Sequence, residues 1–313
     1  MVDGAWRLGQ FYLGLGFQLC RSARMDRDLT SNTQNSAAGR NRKLLWSLLS
    51  LDHFYNDQDS VLGTASESWN PYYVSHTWDL GFPRDTVEPS NPWDIGVWSF
   101  GTHFGWIWSR VREYVSACSQ QKLTEPWRVD SMYAKVLADM IDIENKIPLC
   151  HRYESVRFYE HQASEIALNR DYWIPWIKIQ FTWHSILAVL NHPFLYVVAS
   201  QHHPDLAIPN TFWRRSSELV LLHATWIVRT IDMVSEKRIR LVDPFFAHAA
   251  AIAATVHLYF CCAADPRLKK KSKADIVKCM AFLRGFASFS PACEALVRGP
   301  LFFIVWEMSV NAN

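Results

Sequence analysis

Several signatures of catalytic and metal-binding proteins are missing from this sequence. It contains no Gly-x-Ser-x-Gly nucleophile turn, no His-Glu-x-x-His zinc helix and no Gly-x-x-x-x-Gly-Lys phosphate loop. None of its seven cysteines forms a Cys-x-x-Cys pair, the spacing that many zinc sites use. We therefore expect no catalytic, cofactor-binding or metal-ligating residues, a reducing compartment and no enzyme activity.

An excess of charge of one sign is also lacking. The 313 residues carry 32 Lys and Arg against 30 Asp and Glu, whereas dedicated DNA-binding domains are usually far more basic. Residues 245–264 form an uncharged run as long as a membrane span. The run includes His248 and His257 and is rich in alanine, which favours a buried core helix over a span. The sequence thus predicts no membrane segment and shows no signal peptide.

Apolar and aromatic residues are abundant: 49% of the chain is hydrophobic, and 15 residues are Trp. Apolar positions recur every three or four residues in several stretches, which is the spacing of helices that bury one face. Strand signals are sparse, because no Asn-Gly turn occurs and residues 98–108 alternate only briefly before helical spacing resumes. We predict an all-α fold, a multi-helix bundle with long Pro-rich loops, that forms one domain over residues 1–313.

The same spacing predicts buried faces and helix limits. A helix from Met132 should bury Ile141 and expose Asp139, and residues 219–237 should form a longer helix anchored in the core by Trp226.

Prolines set the limits of these helices. Pro148 should end the helix that follows Met132. Pro175 should lie in the first turn of another helix, which stops before Pro193 because proline cannot donate the hydrogen bond that continues a helix.

Four segments lack helical spacing and are predicted to be connections: residues 30–41, the Pro-rich residues 63–94, residues 200–210 and residues 264–273. The last of them carries a dense basic tract, which is the candidate site of this sequence. On an exposed loop the tract could serve as a nuclear import signal or be an ordinary solvated connection. It comprises Lys269, Lys270, Lys271 and Lys273.

Some histidines and cysteines are weaker candidates. His202 and His203 next to Asp205 could bind a metal ion, but adjacent side chains rarely converge on one ion. The Cys261-Cys262 pair is expected to fill space in the core. Three histidines within apolar helices are expected to form core hydrogen bonds; they are His223, His248 and His257.

A terpene-cyclase-like enzyme is one alternative, since it resembles this chain in length, helicity and aromatic content. Such an enzyme needs two carboxylate-rich helix faces to hold magnesium and a diphosphate. The candidates here are Asp139-x-x-Asp142-x-Glu144 and Asn56-x-x-x-Ser60-x-x-x-Thr64. The second lacks a carboxylate at Thr64, and the two occur in the reverse of the order found in that family.

The sequence resembles another family in a series of short segments. A basic-basic-apolar-Trp helix begins at Arg42, and a Leu-Gly-Leu segment starts upstream at Leu13. Further segments follow: Pro126-Trp127 with Ser131-x-Tyr133; Leu149-Cys150-His151-Arg152-Tyr153; Tyr172-Trp173-Ile174-Pro175-Trp176; Leu190-Asn191-His192-Pro193-Phe194; and Asp243-Pro244-Phe245-Phe246. In this order they resemble the fungal-specific transcription factor domain, the middle homology region of fungal zinc-cluster transcription factors.

The resemblance implies an all-helical regulatory domain that acts in the nucleus on transcription, with metabolic or secondary-metabolite genes as expected targets. Its partners would be the transcription machinery or another regulator protein, and a small-molecule effector would fit such a domain. The six-cysteine zinc cluster of the family has no counterpart here, so the resemblance implies no specific DNA binding by this chain alone. A stand-alone helical module that binds a small molecule or a protein is the main alternative.

The family also has helices before the Leu-Gly-Leu segment, where this sequence has only residues 1–10. We therefore expect a domain that is N-terminally incomplete relative to the family. The missing helices would leave an apolar surface uncovered, and large apolar patches tend to be occupied by partners. Either the authentic transcript starts upstream or the chain forms homo- or hetero-oligomers.

Overall fold

The computed structural model describes residues 2–23, 25, 36–55, 96–120, 125–202, 208–288 and 290–298. Within these ranges the regular structure is helical and no strand occurs, which confirms the all-α prediction. The predicted Pro-rich loop at residues 63–94 lies outside the described residues. The α-helices are α1 (Val2–Ser22), α2 (Ser36–Tyr55), α3 (Gly96–Ser119), α4 (Met132–Lys146), α5 (Tyr153–Val156), α6 (Ala163–Leu168), α7 (Arg170–Leu190), α8 (Pro193–His202), α9 (Asn210–Glu236), α10 (Pro244–Phe260), α11 (Pro266–Ala287) and α12 (Pro291–Arg298).

The chain divides into two compact units, Met1–Ser109 (unit 1) and Arg110–Asn313 (unit 2), with the division inside α3. Unit 1 holds α1, α2 and the first part of α3. Unit 2 holds the rest of α3 and the helices that follow it. The prediction that residues 1–313 form one domain requires that the two units act together, and it stays a prediction.

In unit 1, α1 packs against α2, and α2 approaches the first part of α3 closely. A Cβ atom at Gly16 would lie 3.1 Å from Leu48 Cδ2, and one at Gly105 would lie 2.8 Å from Phe54 Cε2. These glycines therefore allow contacts that a side chain would block. The core between α1 and α2 is formed by Phe17, Cys20, Leu45 and Leu49.

In unit 2, α10 is the most apolar of the long helices and packs against α7, α9, α11 and α12. Asp243 caps its N-terminus by accepting the N–H of Phe245 at 2.9 Å, and Pro244 occupies the first turn. The core helix predicted for residues 245–264 is confirmed, although it ends at Phe260. None of the described helices combines the length and hydropathy that a bilayer crossing requires.

The limits of α4 follow the sequence, but its buried face does not. Ser131 caps the helix, and the chain leaves it just before Pro148. Ile141 was expected in the core and is 58% exposed, whereas Asp139 is half-buried. The buried face of α4 is therefore rotated about the helix axis relative to the predicted one. Its residues are Tyr133, Val136, Met140 and Ile143.

The predicted start of α7 is wrong, while its end is confirmed. The helix begins at Arg170, so Pro175 lies inside it rather than in its first turn. A proline there cannot donate a hydrogen bond to the carbonyl of Asp171, an exposed residue in the first turn, and the helix continues past this position. The helix ends at Leu190, and Pro193 opens α8.

Two predicted connections are shorter than expected. α2 begins at Ser36, so the second half of residues 30–41 is helical, as the alanines that follow Ser36 favour. α8 continues to His202, and α9 starts at Asn210. The long helix predicted around residues 219–237 is confirmed as part of α9, but Trp226 is half-buried rather than fully enclosed.

Candidate functional site

The basic tract lies on a helix and not on a loop, which corrects the prediction. Asp265 caps α11 by accepting the N–H of Arg267 at 2.9 Å, and Pro266 occupies the first turn. An aspartate followed by a proline is a strong helix start, and no residue within the tract interrupts the helix. Residues 269–273 therefore form the second turn of α11.

The four lysines of the tract are not equivalent. Lys269 and Lys270 are exposed, and Lys273 is half-buried. Lys271 is exposed but tied to the fold, since its Nζ lies 3.3 Å from Asp275 Oδ2 and 3.2 Å from Thr225 Oγ1 on α9. Lys269 and Lys270 are thus the part of the tract most open to a partner.

The tract lies beyond the first turn of α11, where the partial positive charge of the helix N-terminus has little effect. Lysine is a good helix former, and Lys271 forms an ion pair with Asp275 four residues later. The run of lysines is therefore compatible with a stable helix.

Behind the tract, polar side chains of α10 and α11 meet inside the core. His257 and Ser272 are fully buried, and Asp275 is 6% exposed. His257 Nε2 lies 3.8 Å from Asp275 Oδ2, beyond hydrogen-bond distance. Neither imidazole nitrogen of His257 makes a hydrogen bond of ordinary geometry among the described residues, although the backbone of Ala224 lies near enough to raise its pKa. The core hydrogen bond predicted for His257 therefore stays a prediction. Burial lowers the pKa of His257, and the Asp275 carboxylate opposes that shift.

Two of the segments that carry the family resemblance meet at Asn191. The Tyr133 hydroxyl donates to Asn191 Oδ1 at 3.0 Å, and the Ser216 hydroxyl donates to the same oxygen at 2.7 Å. Asn191 Nδ2 donates to the Leu187 carbonyl at 2.8 Å. This buried side chain therefore joins α4, the end of α7 and α9, with both ends of its amide satisfied.

Two further segments of the resemblance meet around Trp176, which is 2% exposed. Its Nε1–H donates to the carbonyl of His151 at 2.9 Å, and its ring stacks on Tyr153 with centroids 6.1 Å apart. The Tyr172 hydroxyl lies 3.2 Å from His151 Nδ1. Burial raises the pKa of Tyr172 and lowers that of His151, so both groups are neutral near pH 7.

A pair of histidines links α7 to α9. The Nδ1 atoms of His184 and His223 are 3.0 Å apart, so one imidazole donates and the other accepts. This confirms a core hydrogen bond for His223. Burial lowers the pKa of His184 to about 3 and that of His223 to about 4. The ring of Trp226 stacks on His184, and the guanidinium of Arg229 lies 4.6 Å from the centroid of Trp226.

The carboxylates required by the cyclase alternative do not form a magnesium face in the described part of the chain. Asp139 forms an ion pair with Arg110 at 2.7 Å, whereas Asp142 and Glu144 are exposed. Burial raises the pKa of Asp139, and the arginine opposes that shift. A carboxylate already neutralised by arginine is a poor magnesium ligand. The second motif, residues 56–64, lies outside the described residues.

The remaining candidates are scattered. His248 is accessible to solvent, yet packing around its ring lowers its pKa, so the core hydrogen bond predicted for it stays a prediction. Cys262 is exposed beside the buried Cys261. His203 and Asp205 lie outside the described residues, as does the side chain of His202. Within the described ranges, no three His, Cys, Asp or Glu side chains lie close enough to hold a metal ion.

Part of this chain is similar in sequence to curated transcription factors of a fungus. Over 191 residues, 61% of the chain, it is 21% identical to the Zn(2)-C6 fungal-type transcription factor FTF2 of Fusarium oxysporum f. sp. lycopersici. It is 22% identical to the Zn(2)-C6 fungal-type transcription factor FTF1a of the same fungus over an equal share of the chain. The match covers 17% of the length of each relative. No family model and no solved structure matches the chain.

This chain therefore contains a region related to fungal Zn(2)-C6 transcription factors, as the resemblance indicated. These relatives are transcription factors and not enzymes.

Proposed function

We propose that this chain is the regulatory region of a fungal transcription factor, and that residues 1–313 act as one regulatory domain. The similarity to FTF2 and FTF1a carries the proposal. Four of the segments that resemble the family also contact one another in pairs, two at Asn191 and two at Trp176. These contacts support the proposal, because they show that the segments belong to the packed core of unit 2.

A tethering experiment tests this function. The chain is fused to an unrelated DNA-binding domain in a fungal host, and transcription of a reporter with the matching site is measured. We expect a several-fold change relative to the DNA-binding domain alone, with a rise for an activator and a fall for a repressor. A fusion with Trp176→Ala serves as the control for a folded core. Unchanged transcription, with the fusion bound at the promoter, would contradict the proposal.

The proposed partners are the transcription machinery or another regulator protein, with a small-molecule effector as a further regulator. Two exposed lysines on α11 offer far fewer phosphate contacts than specific DNA recognition uses. The isolated chain should therefore bind two unrelated DNA duplexes equally and weakly in fluorescence anisotropy. Tight binding to only one duplex at physiological salt would show that DNA is a direct partner.

We further propose that the tract of Lys269, Lys270, Lys271 and Lys273 directs nuclear import. The exposure of Lys269 and Lys270 on α11 supports this role, because an import receptor must reach the basic side chains. In a fusion to a fluorescent protein, Lys269→Gln with Lys270→Gln should lower the ratio of nuclear to cytosolic fluorescence. Arg214→Gln, at an exposed residue of α9, is the control. Undiminished nuclear accumulation would rule out the import role.

A further inference from the structure

α11 consists of two halves that pack in different ways. In residues 266–275, the polar half, the buried side chains are those of Ser272 and Asp275, and the one large apolar side chain, Leu268, is half-buried. In residues 276–287, the apolar half, the buried side chains are hydrophobic: Ile276, Cys279, Met280, Leu283 and Phe286. The hydrophobic effect therefore holds the apolar half in the core, whereas the polar half depends mainly on polar contacts.

The buried groups of the polar half make few hydrogen bonds. Among the described residues, Ser272 Oγ has no hydrogen-bond partner. Asp275 Oδ2 lies 3.8 Å from His257 Nε2, beyond hydrogen-bond distance. Water would satisfy both groups if α11 were open, so their burial disfavours the docked position of the polar half. Another contact must offset this effect.

Lys271 supplies that contact. Its Nζ lies 3.3 Å from Asp275 Oδ2 and 3.2 Å from Thr225 Oγ1, so one ammonium group neutralises the buried carboxylate and ties the polar half to α9. A buried carboxylate that loses its counterion strongly disfavours the packing around it. The docked position of the polar half therefore depends on the charge of Lys271.

Two neighbouring groups are poor substitutes for Lys271. His257 is neutral near pH 7, because burial lowers its pKa. Lys278, three residues after Asp275, is held by Asp232 on α9, with its Nζ 2.6 Å from Asp232 Oδ2. Neither group can move to the Asp275 carboxylate without a change of charge or the loss of another ion pair.

We propose that Lys271 is a latch for the polar half of α11. While its ion pair with Asp275 is intact, residues 266–275 stay docked on α9 and α10. When the charge of Lys271 is lost, these residues detach and the apolar half stays packed. The side chain of Lys271 is 53% exposed, so solvent and other proteins reach it in the docked state.

The latch would also regulate the basic tract. In the docked state Lys271 is tied to the fold and Lys273 is half-buried, whereas detachment brings the whole of residues 269–273 into solvent. This consequence rests on the import role proposed above, but the latch itself does not.

Peptide-resolved hydrogen exchange on the full chain near pH 7 tests the latch, because the exchange of protected amides reports how often their segment opens. Lys271→Gln should speed exchange in the polar half about tenfold, since it leaves a buried carboxylate without its counterion. Exchange in the apolar half, α9 and α10 should stay as in the wild type, which also shows that the variant is folded. Lys271→Arg keeps the charge and should exchange more slowly than Lys271→Gln.

Lys270→Gln is the matched control, because it removes the same charge from an exposed neighbour on the same helix. Equal exchange of the polar half in Lys270→Gln and Lys271→Gln would overturn the proposal. Equally faster exchange along the whole of α11 in Lys271→Gln would overturn it too, since the two halves would then open as one.

A double-mutant cycle tests whether the latch acts through Asp275. In the Asp275→Asn background the buried group carries no charge, so Lys271→Gln should change the exchange of the polar half by no more than about twofold. A further tenfold rise in this background would show that the ion pair is not the latch. Neither exchange experiment involves import, so a failed latch and a failed import role remain distinguishable.

Discussion

The two units of this chain bury apolar surface in different ways. In unit 2 the apolar helix α10 is enclosed by α7, α9, α11 and α12, and polar groups such as Asn191 are paired inside the core. In unit 1, α1 packs on α2 with one face and leaves a second apolar face half exposed. We expect substitutions inside the core of unit 2 to lower stability more than substitutions on the exposed face of α1. The following predictions test that contrast.

The largest effect is expected for Trp176→Ala in unit 2. This substitution removes a side chain that is 2% exposed and contacts Tyr153, Phe158 and Trp173. Truncation of a buried Trp lowers the free energy of unfolding by about 3–5 kcal/mol. Urea unfolding followed by circular dichroism measures the change. Tyr159→Ala, at an exposed ring, is the control. A midpoint shift equal to that of the control would contradict the enclosed core of unit 2.

Acid should also destabilise unit 2. Burial lowers the pKa of His192 to about 4, as it does for His223, and that of His184 to about 3. The unfolded chain, with pKa values near 6.5, therefore binds protons first, and stability falls as the pH drops from about 6.5 toward 4. Each histidine contributes up to about 1.4 kcal/mol per pH unit in that range.

His192→Asn isolates one of these protons. His192 Nε2 donates to Thr255 Oγ1 at 2.9 Å, a bond that an amide can partly replace. Between about pH 6.5 and pH 4, unfolding of this variant should take up one proton fewer than unfolding of the wild type, so the unfolding free energy should fall less steeply as the pH drops. Hydrogen exchange resolved by peptide measures where protection is lost on acidification. Earlier loss in α1 and α2 than in α9 and α10 would reverse the contrast between the units.

Alanine substitutions at two glycines of unit 1 should change its stability in opposite directions. Gly105→Ala places a methyl group 2.8 Å from Phe54 Cε2, and such overpacking lowers stability by about 1–3 kcal/mol. Gly14→Ala meets no atom within 4 Å inside α1, so it should raise helix stability by up to ~1 kcal/mol. Thermal melts of both variants give the comparison. Equal shifts of the two melting midpoints would mean that the contact between α2 and α3 leaves room for a methyl group at position 105.

The smallest effect is expected for the double variant Lys269→Gln, Lys270→Gln on the surface of unit 2. Replacement of these two exposed lysines should change stability by no more than about 0.5 kcal/mol in either direction. Differential scanning calorimetry is sensitive enough to test this. A clear loss of stability would mean that these lysines pack on the fold, and the import variant would then need another design.

Much of the fold was predictable because its signals are local. The stop before Pro193 and the alanine-rich core helix follow from single residues and short patterns. The start of α11 was missed because the dense lysines suggested a solvated loop and obscured the signal of Asp265-Pro266. The sequence predicted that α7 begins near Pro175, whereas it begins at Arg170. The buried rings of Tyr172 and Trp173 favour this longer helix, although proline is usually confined to the first turn.

The candidate site was less predictable because its contacts join distant parts of the chain. Tyr133 and Asn191 are 58 residues apart, and His184 and His223 are 39 apart. The resemblance marked Tyr133 and Asn191 as members of separate segments. Their partners are set by how α4, α7 and α9 pack, and local spacing carries no signal of that packing.

The complete burial of Ser272 has a consequence for covalent regulation. Its hydroxyl follows three lysines, yet the side chain is fully buried behind the tract. A phosphate there would carry nearly two negative charges into the space beside Asp275 and would repel that carboxylate. A kinase could reach the hydroxyl only after the first turns of α11 unwind. Phosphate at Ser272 would therefore report the opening of α11 and would hold the helix open.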